Sequence, residues 1–444
     1  MKDLRRLKRE QPRERHQPGR LVTEPASDAA SQKILDLQRR AGNAAVTSWL
    51  AGSAFAISLQ RYEAGEHAQF GAREGETEKT VKVSSSDGKV VAMQYGEMIA
   101  MGDFFESPDQ MKTVTEKELQ GLLTLIRRER DRGLGSVSEK EWDDASAGRY
   151  LKLAAKNETH FAPPADAVGF DAGGQNNRHQ WWIQHVRALG LAQRKQLDEA
   201  LAINAFGDHF LTDAFSAGHL VNKHLMMETA KNHIGIWDFE KKVAKGVLAT
   251  DKGAELYRYE ANPGALDSWA PMSEESLAHV IDRIRYWEPD VFWSNFAKAV
   301  HDRLNKDIAI GGTGPKKGIE VMNNNGTVWQ LPGDAHLHES PQTLKIAKDA
   351  VAQSQKNVTD ALGKEKLDYN GLAYAVWNFV PRPTAVGAKQ IEGVKKKLLD
   401  PGTTESIGAT VDIIIKPENF DALVSGLLKK GLLRTPKVPV PAGR

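Results

Sequence analysis

His209 and Asp213 stand four residues apart in the stretch Asn204-Ala-Phe-Gly-Asp-His-Phe-Leu-Thr-Asp-Ala-Phe-Ser-Ala-Gly-His219. On a helix that spacing stacks two side chains one turn apart on the same face. His219 follows six residues after Asp213. At roughly 100° per residue, an unbroken helix would carry it about 80° to the other side of His209. The three side chains then share one broad face. Imidazole nitrogen and carboxylate oxygen are the donor set that suits zinc. A carboxylate between two histidines can also bridge two ions, as a two-metal hydrolase requires. Ser216-Ala-Gly218 keeps that face narrow, which leaves room for ions and substrate. A hydrogen-bonded His–Asp pair in a core uses the same spacing, so residues elsewhere in the chain must decide between the two readings.

Those side chains need elements to hold them. A helical run from Leu197, with Leu201, Ala205 and Leu211 apolar, carries His209 and Asp213. Before it, Asn177 to about Gln193 reads as a helix bearing Trp181, Trp182, His185 and Leu189, with His185 supporting or core rather than a ligand. An apolar helix from Tyr150 ends at His160-Phe161, because Pro163-Pro164 forbids its continuation. Thr80 to Val83 and Lys89 to Met93, β-branched runs around Asp87-Gly88, predict a small hairpin over 80–93. It leads into Tyr95-Gly-Glu-Met-Ile-Ala-Met-Gly-Asp103-Phe-Phe105. An aspartate after a buried apolar helix and before two aromatics is costly unless paired or metal-bound, which marks Asp103 as a ligand and a base. Glu63 and His67 form another pair at helical spacing. Residues 110–150 hold two charged helical segments split by Arg132-Gly-Leu-Gly135. Beyond 341 the pattern is again helical, over Leu344 to Val358 and Ile391 to Leu399, with an aromatic patch at Tyr374 to Phe379 and a break at Pro381-Arg-Pro383. The expected fold is all-α with one small β-hairpin.

Composition narrows the chemistry. The 444 residues contain no cysteine, which excludes disulfides and Cys-type zinc sites and leaves His, Asp and Glu as ligands. A net charge of +2 carries no polyanion-binding signature. No apolar run reaches the ~18 residues of a membrane span. The charged N-terminus has no apolar core of a Sec signal, so synthesis in the cytoplasm, with export by another machine, is the expectation. Residues 1–30 read as a disordered basic arm, 31–55 as a short helical segment, 56–340 as the metal-binding helical domain, 341–434 as a helical extension and 435–444 as a flexible tail.

His209-x3-Asp213-x5-His219 resembles the central helix of the zinc-dependent phospholipases C and the related single-strand nucleases. The resemblance covers about residues 60–340 in short islands and implies an all-helical fold holding two or three zinc ions. It assigns His160, in a His-Phe before the central helix, as a ligand, and gives His67 the part of an N-terminal histidine at a third ion. The Tyr95–Phe105 island is similar to one in bacterial relatives and supports Asp103. His233 lies 14 residues past His219, a gap like that in the phospholipases, but Trp237 stands where their glutamate is expected. A block similar to one in the bacterial relatives runs through Val300-His301-Asp302-Arg-Leu-Asn305, Gly318-Ile-Glu-Val321, Trp329 and Gly333-Asp334. It favours His301, with Asp302, to close the second site, and keeps His233 in reserve. His336 and His338 are ligands or surface residues. One ion would then use Asp103, His160, His209 and Asp213, and another His219 with His301 or His233.

A second resemblance lies at the N-terminus. Leu37-Gln-Arg-Arg-Ala-Gly-Asn-Ala-Ala-Val46 is similar to a segment near the start of bacterial proteins linked to contractile injection systems. It implies that 31–55 is a loading segment and that the injection particle is a partner. Together the resemblances imply a zinc-dependent phosphodiesterase delivered as an effector or toxin, with Asp103 orienting or deprotonating the attacking water. The substrate would be a phospholipid head group or nucleic acid. A nuclease on the same scaffold would need aromatic stacking, for which Trp181 and Trp182 are candidates. A non-catalytic cargo or structural protein is the other alternative.

Overall fold

The computed structural model describes residues 64–233 except 134, 156 and 173, parts of 241–249, a few helical residues between 297 and 305, and 318–399 except 335. The basic arm, the Leu37–Val46 segment, Glu63, Asp302 and the C-terminal tail lie outside the described residues, as do the side chains of His233 and His338. All described residues fall within one compact unit spanning residues 53–444.

Seven helices position the site: α1 (Ala64–His67), α2 (Tyr95–Ala100), α3 (Glu116–Arg132), α4 (Asn177–Gln193), α5 (Leu197–Asp213), α6 (Pro341–Asp360) and α7 (Tyr369–Trp377). Every residue of α5 from Ala200 to Asp213 is buried. A helix buried on all sides must be surrounded, and α5 packs against α2, α4 and α6 and against the hairpin. Helix α4 begins where the Asn176 side chain accepts a bond from His179 N–H. It ends in a Schellman motif: Lys195 N–H bonds Ala192 C=O at 2.8 Å and Gln196 N–H bonds Leu191 C=O at 3.0 Å. Lys195 occupies the left-handed position at φ 63°, and the chain turns straight into α5.

The expected hairpin is present. Strands β1 (Thr80–Ser84) and β2 (Val90–Gln94) pair antiparallel in the register Thr80↔Gln94 to Ser84↔Val90. Val81, Val83, Val91 and Met93 point inward, as the alternation requires. Gly88, in the loop between the strands, has φ 76°. The structure adds a second antiparallel sheet of β3 (Ile319–Met322), β4 (Val328–Leu331) and β5 (Arg382–Pro383), in the order β4-β3-β5. Its strands of four, four and two residues are too short for a periodicity reading. Strand β4 delivers Pro332-Gly333-Asp334 to the end of α5, where Ala217 N–H bonds Pro332 C=O at 2.8 Å.

Helix α6, beyond the sequence boundary at 340, packs on the central helix: Ser354 Oγ donates to Asp208 Oδ1 at 2.7 Å. Buried Glu97 sits beneath α3. Burial alone would raise its carboxyl, but paired bonds from Arg127, Nε to Oε1 at 2.6 Å and a terminal nitrogen to Oε2 at 2.9 Å, outweigh that and hold it below the usual range. No helix among the described residues is long and apolar enough to cross a membrane.

Candidate metal centre

Asp213 is the last residue of α5, and His209 sits one turn before it. The helix does not continue to His219. Ser216 is extended, the chain turns to meet Pro332, and His219 lies on a 3₁₀ turn over Ala217–Leu220. The turn still returns His219 to the site, with its Nδ1 3.1 Å from the Asp213 carbonyl at the end of the helix. Gly102 permits the close approach on the other side: a Cβ there would lie 2.2 Å from His209 Cγ.

Four imidazoles surround the wholly buried Asp213 carboxylate. Oδ2 is 2.7 Å from His160 Nδ1 and 3.6 Å from His209 Nε2. Oδ1 is 3.5 Å from His67 Nε2 and 3.5 Å from His219 Nδ1. His209 Nε2 and His160 Nδ1 are 3.2 Å apart. Three groups of potential ligands have atoms mutually within 4.8 Å: His67, Asp103 and His209; His160, His209 and Asp213; and His219, His301 and Asp334. All eight residues are buried.

Two imidazoles have a chain-defined tautomer. Thr212 Oγ1 donates to the His209 carbonyl at 2.9 Å, so it accepts from His67 Nδ1–H at 2.8 Å and the His67 Nε2 lone pair faces the cluster. His219 Nδ1–H donates to the Asp213 carbonyl, which turns its Nε2 towards Asp334. Histidine ligands commonly donate their other N–H in this way. The spacings fit a cation as well. Two ligand atoms about 2.0–2.2 Å from a tetrahedral zinc lie roughly 3.3–3.6 Å apart. The 3.5 and 3.6 Å separations of the Asp213 carboxylate from His67 and His209 match that edge and exceed a normal hydrogen bond, whereas the 2.7 Å between His160 Nδ1 and Asp213 Oδ2 is a hydrogen-bond length. Buried carboxylates this close to imidazole lone pairs require protons or cations among them. The groups could therefore hold metal ions.

In the third group, His301 Nε2 is 3.1 Å and His219 Nε2 4.0 Å from Asp334 Oδ2. Burial would raise the Asp334 carboxyl, but His219 and His301 beside it outweigh that and hold it well below the usual carboxylate range.

The structure brings together Asp103, His160, His209, Asp213, His219, His301 and His67 from the expected ligand set. Asp103 groups with His67 and His209, and His209 belongs to two groups. His233 closes the helix Lys223–His233, but its side chain is outside the described residues. His336 is a surface residue paired with Glu339 at 3.1 Å. Asp334 is the candidate ligand that sequence reasoning did not assign. A signal for it exists in the three Gly-Asp dipeptides at 102–103, 207–208 and 333–334. At each one, a Cβ on the glycine would collide with a neighbouring residue: His209, Gln184 and Asn305 respectively.

Behind α5 lies a separate polar network. Asp208 accepts from Tyr95 Oη at 2.8 Å, Trp181 Nε1 at 3.0 Å and Ser354 Oγ at 2.7 Å. Asn204 Nδ2 donates to Tyr95 Oη at 2.7 Å, while Asn204 Oδ1 is 2.6 Å from His185 Nδ1. His185 is therefore a core residue in this network. Trp181 is fully buried and bonded here, so it cannot stack a nucleic-acid base.

Burial raises the Asp208 carboxyl from 3.8 to about 7, and lowers the His185 imidazole from 6.5 to about 4. The raised carboxyl contributes stability that is full below pH 3.8 and lost as pH rises through about 7. The lowered imidazole contributes stability that is full above pH 6.5 and lost as pH falls through about 4. These slopes oppose each other in between. His185→Gln keeps a hydrogen-bonding side chain but leaves the Asp208 slope uncompensated. Its deficit in Tm against wild type is expected to widen as pH rises from about 4 to 6.5. Melting curves across that window check this, and a constant deficit contradicts it.

Comparison with known protein families, curated proteins and solved structures yields no match for this chain.

Proposed function

We propose that this protein is a zinc-dependent phosphoric-diester hydrolase of the phospholipase C type. The observation that carries the reading is three groups of buried His and Asp side chains at and beside Asp213, each with potential ligand atoms mutually within 4.8 Å. His160, His209 and Asp213 would hold one ion and His219, His301 and Asp334 a second; His67 and Asp103 would hold a third beside His209, whose neutral ring has one lone pair and serves one ion. His and Asp donors without cysteine, with Nε2 lone pairs presented by His67 and His219, favour zinc. Bound zinc would supply an acidified water and offset charge on the phosphoryl oxygens.

The chain's own groups have the remaining work. Asp103 is assigned to orient the attacking water and take its proton. Asp213 would supply a carboxylate oxygen and its negative charge to the ion held with His160 and His209. Thr212 and the Asp213 carbonyl fix the faces that His67 and His219 present. A phospholipid head-group diester is the preferred substrate. The net charge of +2 lends no support to a nuclease, and of the two stacking candidates Trp181 is buried, while Trp182 is half-buried, stacks on Phe170 and donates to Asp171.

The test uses chelator-free protein with phosphatidylcholine vesicles and, in parallel, single-stranded DNA and RNA. Release of the water-soluble phosphate ester from vesicles, abolished by chelator and restored by zinc, is expected. Cleavage of the nucleic acids alone would move the substrate to the nuclease alternative. Metal-loaded protein that cleaves none of them would overturn the hydrolase reading. The Leu37–Val46 resemblance supports delivery as effector cargo of a contractile injection particle. Deleting residues 1–50 is expected to abolish loading and spare hydrolysis, and unchanged loading would remove the delivery proposal.

A further inference from the structure

We infer that Asn305 is the positioning residue of the His219–His301–Asp334 group: its side-chain amide joins the three chain segments that supply those ligands and fixes Asp334 among them. The inference rests on the metal reading above and deepens it.

Asn305 follows His301 by one helical turn and is 3% exposed. Its Nδ2 donates to Asp334 Oδ2 at 2.7 Å and lies 3.2 Å from His301 Nε2. Its Oδ1 accepts from Gly218 N–H at 2.7 Å and from Ser216 Oγ at 3.2 Å. One amide therefore touches the turn before His219, the helical turn of His301 and the loop that carries Asp334. Two glycines clamp it. A Cβ on Gly218 would stand 2.5 Å from Asn305 Oδ1, and one on Gly333 would stand 2.2 Å from Asn305 Cα. The bond to Oδ2 leaves Asp334 Oδ1, a buried oxygen with no hydrogen bond among the described residues, for a cation. Ser216 caps and Gly218 lies within the 3₁₀ turn that returns His219 to Asp213, so the same amide steadies that turn. An outer residue that orients a metal ligand typically contributes about 10–100-fold to affinity.

The test titrates zinc into chelator-stripped full-length protein against a competing indicator, with melting of the metal-free protein recorded alongside. Asn305→Ala is expected to weaken one zinc-binding phase by about 10–100-fold, leaving the other phases close to wild type, while the metal-free Tm falls because Gly218 N–H and Asp334 lose a buried partner. His301→Ala should remove that same phase, and adding Asn305→Ala to it should cost nothing further. Should the alanine variant not fold, Asn305→Leu, close in shape to asparagine, keeps the packing against both glycines and tests the same phase. Wild-type affinity in every phase would overturn the inference while leaving the metal reading intact. Equal weakening of every phase would also overturn it, by making the role structural. Wild-type protein that takes up no ion would overturn both.

Discussion

Asp213→Asn is expected to strip metal from the group it forms with His160 and His209. The substitution preserves volume but removes the negative charge and replaces one oxygen with an amide nitrogen, which donates protons and does not ligate. In the native chain, Oδ2 meets His160 and His209 while Oδ1 meets His67 and His219. Either amide orientation turns the NH2 against one of these pairs. The ion held with His160 and His209 also loses the anion that offsets its charge. Bound zinc should fall by about one ion per chain. Diester hydrolysis should drop by at least about 10²–10³-fold, the loss that follows removal of a single charge-stabilising group. Elemental analysis and the vesicle assay on the same preparation measure both. A variant with wild-type metal content contradicts the ligand role of Asp213.

The second large effect is expected at His209. It is the ligand candidate common to the His67–Asp103 group and the His160–Asp213 group. Its ring lies 4.3 Å from that of His67, centroid to centroid, and fills the space that Gly102 leaves open. His209→Ala removes the ring on which the two groups meet and opens a cavity between two buried rings. Metal content should fall where these groups meet, while the His219–His301–Asp334 group keeps its ion. Hydrolysis should fall on the order of that for Asp213→Asn, since an ion short of a ligand is poorly held. Because the substitution also empties a packed position, added imidazole should restore part of the bound metal. Metal content equal to wild type, with only a lowered Tm, would reduce His209 to a packing residue.

Much of this arrangement was legible in the sequence, and the reasons are local. Asn177–Gln193 and Leu197–Asp213 carry apolar residues at helical spacing, and an Asn cap starts the first. The hairpin was legible because β-branched runs flank Asp87-Gly88, and Gly88 takes the positive φ that the loop needs. The ligands on short islands were legible from residue type, and for His160, His301 and His67 from resemblance. Features made by distant pairing were not. No periodicity marks β3 and β4, and β5 is only two residues long. Asp334 reaches the site only because that sheet returns the chain to Ala217. The expectation of an unbroken helix to His219 fails for the same reason: Ala217 N–H bonds Pro332 across the fold instead of extending the helix. His219 arrives by a turn, and Asn305, four residues after His301 in an island already singled out, holds that turn.

The central claim is that buried His and Asp side chains around Asp213 hold transition-metal ions. Elemental analysis of wild-type protein purified without chelator tests it most directly. The account predicts two or three zinc ions per chain, removed by chelator and regained on dialysis against zinc. Folded wild-type protein carrying no stoichiometric transition metal, and taking none up, would contradict it.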